Sequence, residues 1–292
     1  MTPLRSRTGL PRVPCRIAAA LGAPFLLAAA LSAGAEAQTP EALRAQYRLE
    51  FPAQLEAIAF DRHRPNHSVT TPTAFGLEWG QGFVGVGWQE RARYISKPDG
   101  AVAAGFGIGD PRRWVGGEVA YTSFSTVRSG FFTRSALSVR VHRAVLDRTA
   151  VAVGWENAVV WGPTDGGSSR YLVASHTLPY GNSRLRPYQT LTGTLGIGNG
   201  RFRSEEKIQK DEGVLGVFGS LALRPIEPLT LIADWTGQDL AAGASVVPLR
   251  GFPFVITFGF QDLLEQAGDG RRFTIGAGAA FDLREFNRDR QR

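Results

Sequence analysis

From Gly82 onward the dominant regularity has period two, with large apolar residues alternating against glycine, alanine or polar residues. In AVAAGFGIGD, Val102, Ala104, Phe106 and Ile108 share one face, and Ala103, Gly105, Gly107 and Gly109 take the other. In LTLIADWTGQ, Leu229, Leu231, Ala233 and Trp235 oppose Thr230, Ile232, Asp234 and Thr236. RRFTIGAGAAF sets Phe273, Ile275, Ala277, Ala279 and Phe281 together. Such alternation marks strands with two unlike faces, and glycine every few residues would repeatedly weaken a helix. Twelve runs carry the pattern: 82–94, 101–109, 114–124, 134–143, 149–160, 169–178, 186–198, 213–224, 228–237, 240–248, 252–261 and 271–281. Most reach the roughly 9 to 11 residues that a tilted strand needs to cross a bilayer.

The connections sort into two sets. GDPRR, HRAVLDRT, LPYGNSRLRP, RPIEP and PLRGF are short or moderate. They alternate with ISKPDG, STVRSGFFT, VVWGPTDGGSS, GNGRFRSEEKIQKDEG, GQDL and DLLEQAGDG, which include the longest and most polar loops. Short turns at one end and long loops at the other are the asymmetry of outer-membrane barrels; GQDL alone is short for its set. A barrel also closes every backbone hydrogen bond between strands, as lipid requires. A soluble periplasmic barrel or sandwich would exchange inside for outside. Its surface would then be Ala103, Gly105, Gly107, Gly109, Gly276, Gly278 and Ala280, which carry no charge, unlike a soluble sheet. Aromatic residues at the membrane rims are expected near the strand ends, at Tyr94, Trp114, Phe124, Phe132, Trp161, Tyr171, Tyr188, Phe254, Phe260, Phe273 and Phe281.

Before the barrel, Arg5, Arg7, Arg12 and Arg16 precede the apolar run IAAALGAPFLLAAALSAG and Ala35-Glu36-Ala37, the pattern of a cleaved secretory signal peptide over 1–37. Its removal takes the single cysteine, Cys15, and the single methionine, which excludes a disulfide framework and a thiolate metal site. Losing four arginines and one glutamate lowers the formal charge from +7 to +4, an excess that does not demand nucleic acid. Residues 38–81 read as a periplasmic or plug segment. In it Thr39 and Pro40 open a short helix through TPEALRAQYRLE. TAFGLEW alternates too; if it crosses the membrane, the barrel has fourteen strands. Residues 282–292 form a charged tail in place of the terminal aromatic that such barrels commonly end on.

Charges on the face of the small residues point into the lumen: Arg91, Arg93, Glu118, Arg140, His142, Glu156, Asp234 and Arg272. Pairing the strands around STVRSGFFT brings Glu118 beside Arg140 and His142, a cross-strand ion pair. These charges either line a solute path or brace one another across a filled interior.

Catalytic motifs are absent. There is no G-x-S-x-G elbow and no H-E-x-x-H. His63 and His67 flank Pro65 among arginines and are loop histidines rather than metal ligands. Ser138 and His142 share one strand face without an orienting partner, so a lipid hydrolase is the weakest of the readings. Asp165 and Asp269 sit in turns without the spaced ligands of a calcium loop. The glycines of TGTLGIGNGRFRSEEK miss the dinucleotide spacing, because Arg201 and Arg203 stand where the third glycine belongs. This stretch is a strand leaving the membrane, which makes Arg201, Arg203, Glu205, Glu206 and Lys207 candidates for outside contact or for closing the mouth.

In TPTAFGLEWGQGFVGVGWQ, LGIGNGRFRSEEK and LTLIADWTGQDLAAGASVVPLRGFPFVIT the chain resembles uncharacterised Gram-negative outer-membrane barrels, and more distantly the barrels associated with exopolysaccharide secretion. The resemblance implies a location and no activity. The expectation is therefore an all-β, antiparallel transmembrane β-barrel over 82–281, of about twelve strands, in the outer membrane and in contact with its lipid. It is not an enzyme and holds no cofactor or metal. Its role is a passive channel or secretion-linked pore for a polar or anionic solute. The alternative is a closed structural or surface-binding barrel whose loops contact polysaccharide or an envelope partner.

Overall fold

Each period-two run forms a strand. They are β1 Gln81–Gln89, β2 Asp99–Gly109, β3 Gly116–Ser123, β4 Ser135–Leu146, β5 Thr149–Trp161, β6 Ser169–Pro179, β7 Thr190–Gly198, β8 Gly216–Ile226, β9 Leu229–Trp235, β10 Leu240–Val246, β11 Phe254–Gln261 and β12 Arg272–Asp282. The computed structural model describes residues 64–284 apart from 95, 125, 127–131, 163–166, 181–187, 211 and 250–251. The expected leader, the helix through TPEALRAQYRLE, His63, Asp165 and the tail beyond 284 lie outside the described residues. Every strand pairs antiparallel with its sequence neighbours, and β1 pairs with β12 from Gln81↔Asp282 to Gln89↔Thr274, which closes the barrel at twelve strands. TAFGLEW adds no strand, so the fourteen-strand alternative falls. A short α-helix, α1 over Glu205–Gln209, lies in the β7–β8 loop.

The faces follow the alternation. Val84, Val86, Ile108, Val141, Leu195, Val217, Leu221 and Phe258 are exposed on the outside, Leu195 by 66%. A continuous apolar belt around a closed barrel suits lipid rather than water. Inward positions are small, hydroxylic, charged or aromatic and are buried. Two of the aromatics expected at the rims, Phe124 and Tyr171, point inward instead, 4% and 1% exposed.

The inward aromatics explain several of the glycines. Phe83 pairs with Gly105, Tyr171 with Gly154 and Phe218 with Gly196, each directly across a strand boundary. A Cβ on any of these three glycines would run into the facing ring. The ring therefore lies flat over its glycine, the cross-strand device known as aromatic rescue. We expect Gly196→Val to overpack the lumen and cost about 1–3 kcal/mol. The temperature at which the folded band loses its fast gel mobility should fall, whereas Gly193→Val, where a Cβ meets only Leu221 Cδ2 at 3.9 Å, should leave it in place.

β1 stops five residues before the end of the run that predicts it, because Ala92 N donates to Lys97 O and Tyr94 takes a left-handed φ of 59°. Arg91 and Arg93 thus belong to the β1–β2 loop and not to the strand. The loops joining β1–β2, β3–β4, β5–β6, β7–β8, β9–β10 and β11–β12 share one end, and the mostly shorter turns joining the other neighbours share the opposite end.

Candidate functional site

The lumen is occupied by the chain itself. Residues 65–77 run inside the barrel, with Val69, Thr71, Ala74 and Leu77 fully buried, and Trp79 emerges beyond them, 59% exposed. Both ends of this stretch lie at the short-turn end. Arg64 Nη2 donates to Thr190 Oγ1 at the start of β7 (3.5 Å), and Trp79 N donates to Gly109 O at the end of β2 (2.8 Å). Between them the segment reaches toward the long-loop mouth and turns over Ser68–Thr71. There Asp234, one residue from the end of β9, accepts Ser68 Oγ (2.9 Å), Val69 N (2.8 Å) and Thr70 N (2.7 Å), all on Oδ2.

The remaining ties also come from wall side chains. Asn66 N donates to Ser245 Oγ and Asn66 Nδ2 to Thr257 Oγ1, both at 2.9 Å. Ala74 N donates to Ser175 Oγ (2.9 Å), and Leu77 N to Glu118 Oε2 (3.0 Å). Arg140 Nη1 donates to Thr73 O (2.9 Å), while its Nη2 meets Glu118 Oε2 at 2.8 Å. The cross-strand Glu118–Arg140 pair sits in register between β3 and β4 and faces the segment. Buried backbone groups must be satisfied; here the partners are side chains, and the sheet closes without the segment.

A second layer covers the mouth. The β7–β8 loop folds inward, so that Phe202 stacks on Phe218 (4.1 Å) and meets Tyr171 edge-on (5.8 Å). Arg201 Nε and Nη2 grip Glu156 of β5 at 2.6 and 2.8 Å, and Nη2 also donates to Thr70 O at 3.1 Å. Arg93 reaches Gln238 Oε1 (2.9 Å) and lies 3.6 Å from both Glu205 and Asp262; Asp262 in turn pairs with Arg272 at 2.9 Å. Tyr94 donates to Glu205 Oε1 (2.7 Å), and its hydroxyl is pushed up to about 12 by partial burial and by that carboxylate. Partial burial works against ionisation of Asp269, yet the Arg91 hydrogen bond at 2.6 Å and its charge hold this carboxyl below the usual carboxylate range.

The sequence-derived candidates thus divide. Glu118, Arg140, His142, Glu156, Asp234 and Arg272 are on strands and face the lumen. Arg93 closes the mouth from its loop, and Arg91 ties the rim to Asp269. Arg201 and Glu205 join the mouth, and Arg203 is buried against Gly200 O and Glu212 O. Glu206 and Lys207 stay exposed, and Glu206 pairs with Lys210 at 2.6 Å. Asp262 and Gln238 escape the sequence pattern, as does the stretch NHSVTTPT. An uncharged, hydroxyl-rich run between DRHR and the first strand was the available signal, since exposed linkers carry charge.

Ser138 and His142 do not form a pair. They lie four residues apart on β4, roughly 13 Å along a strand. Ser138 Oγ accepts Asn157 N at a bulge, and the imidazole of His142 is wedged between Gly76 and Gly116. Among the described residues no three His, Cys, Asp or Glu side chains gather as a metal site.

Fold and site define a class: a closed twelve-stranded antiparallel barrel with an apolar outer belt and a lumen filled by its own chain. No family model and no curated protein matches the sequence. A solved structure described as the low pH structure of Pseudomonas putida OprB is 9% identical. The match covers 69% of this chain and 91% of that one, with a TM-score of 0.26, too low to carry fold or function across.

Proposed function

We propose that this protein is an outer-membrane barrel, closed at rest by residues 66–77, that passes polar solutes when the segment leaves the lumen. The observation that supports it most is the manner of closure: a polar segment held by wall side chains inside a complete sheet. Displacing it breaks no strand ladder and leaves a lining of hydroxyls such as Ser175, Thr177, Thr192, Thr194, Ser220 and Thr230. The outward apolar belt supports the membrane location. The arginines that suggested an anionic solute are offset by carboxylates, Arg140 by Glu118 and Arg93 and Arg272 by Asp262, so the proposal is a polar solute with no strong preference for anions.

The filled lumen and bridged mouth equally favour a second reading, a permanently closed barrel whose loops contact polysaccharide or an envelope partner. Cell fractionation tests what the two share: an outer-membrane band whose gel mobility shifts on boiling is expected. Recovery as a soluble protein without detergent would sink both. The conductance experiment described in the Discussion separates them.

A further inference from the structure

The lumen segment and the outer loop share the hydrophobic cluster that holds Ala74 and Phe202, and one side chain joins them by hydrogen bonds. Arg201 belongs to the β7–β8 loop, holds Glu156 on the wall through two nitrogens, and donates to Thr70 O at the apex of the segment. Asp234 grips the same apex from β9 through Ser68, Val69 and Thr70. The guanidinium of Arg201 also lies over the Phe202 ring at 4.5 Å, and Phe202 is the aromatic that seats the loop on Phe218 and Tyr171. An arginine shared among wall carboxylate, apex carbonyl and loop aromatic cannot keep all three partners if either the loop or the segment moves.

We propose that Arg201 couples the β7–β8 loop to the lumen segment, so that the two open as one gate and a contact that lifts the loop from outside loosens the apex within. The proposal deepens the reading of a barrel closed by its own chain; its geometry does not depend on what the barrel carries. Coupling of this kind is reciprocal: loosening the apex must also free the loop. Arg201 is a positioning residue here, and its planar fork is the reason lysine is not an equivalent.

The test uses the folded full chain in lipid vesicles with Cys15→Ser and Thr73→Cys, since Thr73 is 2% exposed and its Oγ1 has no hydrogen-bond partner. Two rates are followed, labelling of the cysteine at 73 by a membrane-impermeant maleimide and tryptic cleavage at Lys207 and Lys210 on the loop. Arg201→Ala should raise both rates by at least about tenfold, the factor that 1.4 kcal/mol of coupling gives, and Arg201→Lys should raise both by less. Asp234→Asn, which acts on the apex from β9, should also raise both. If Asp234→Asn speeds labelling while cleavage of the loop keeps the parent rate, the coupling is overturned, and likewise if Arg201→Ala changes cleavage alone. Boiling-dependent mobility selects the folded fraction in each sample. Neither rate depends on conductance, so a barrel that never conducts leaves this test intact.

Discussion

Excising residues 66–77 and bridging the gap with a flexible linker should turn a silent barrel into a conducting one. Purified parent protein in a planar bilayer is expected to give no steps or rare ones, and the excised form frequent, discrete steps. The physical reason is the strength of the hold. Eight hydrogen bonds tie the segment to charged side chains: five on Asp234, two of them long at 3.4 Å, one on Glu118, and one each from Arg140 and Arg201. Each contributes about 1.5–3 kcal/mol, while only about 5.5 kcal/mol separates a 1:99 from a 99:1 population. The segment therefore stays in at rest. Asp234→Asn, which keeps shape and removes charge, should yield brief and infrequent openings rather than a permanently open pore. An excised barrel that is folded and silent would favour the permanently closed reading.

The largest effect on stability is expected at the Glu118–Arg140 pair. Both side chains are 2% exposed and lie 2.8 Å apart, and each also bonds to the lumen segment. Removing one partner of a buried pair leaves an uncompensated charge and costs about 3–5 kcal/mol. Glu118→Ala and Arg140→Ala should each lower the unfolding temperature sharply. The double variant should lose less than the sum of the two, because no lone charge then remains. Additive losses in a thermal-mobility series would show that the pair is not coupled in the folded barrel. The exposed Glu206–Lys210 pair offers a contrast: both side chains lie in solvent, and breaking it should leave stability within error.

Much of the barrel was legible because period-two alternation is a local signal. β2, β5, β9 and β12 fall within two residues of their runs, and the Glu118–Arg140 contact followed from pairing two strands around their loop. The sorting of connections into two sets followed from their alternation along the chain, with GQDL short for its set and LPYGNSRLRP long for the other. The contents of the lumen were less legible. NHSVTTPT has neither a strand's nor a helix's period, and apart from the Asn66, Ser68 and Thr70 side chains what holds it are backbone amides and carbonyls, which no residue pattern displays. Its partners, Asp234, Ser245 and Thr257, are far along the chain. Phe124 and Tyr171 were misplaced for a related reason: an aromatic near a strand end points to either face, and only the cross-strand glycine, Gly154 for Tyr171, decides which. The mouth was read in part. Arg201 and Glu205 stood out as loop charges, whereas Asp262 and Gln238 look like ordinary turn residues until six loops are brought to one end.

The segment lies within the barrel, where a disulfide to the wall can trap it. Ala74 N sits 2.9 Å from Ser175 Oγ on β6, and both residues are buried, so Ala74→Cys with Ser175→Cys in a Cys15→Ser background puts one cysteine on the segment and one on the wall position that it touches. Under mild oxidation in native membranes, the folded barrel should form this bond within one chain nearly completely, seen as a change in gel mobility that reductant reverses. A folded, heat-modifiable barrel in which the two thiols stay free, or cross-link only between chains, would contradict the account.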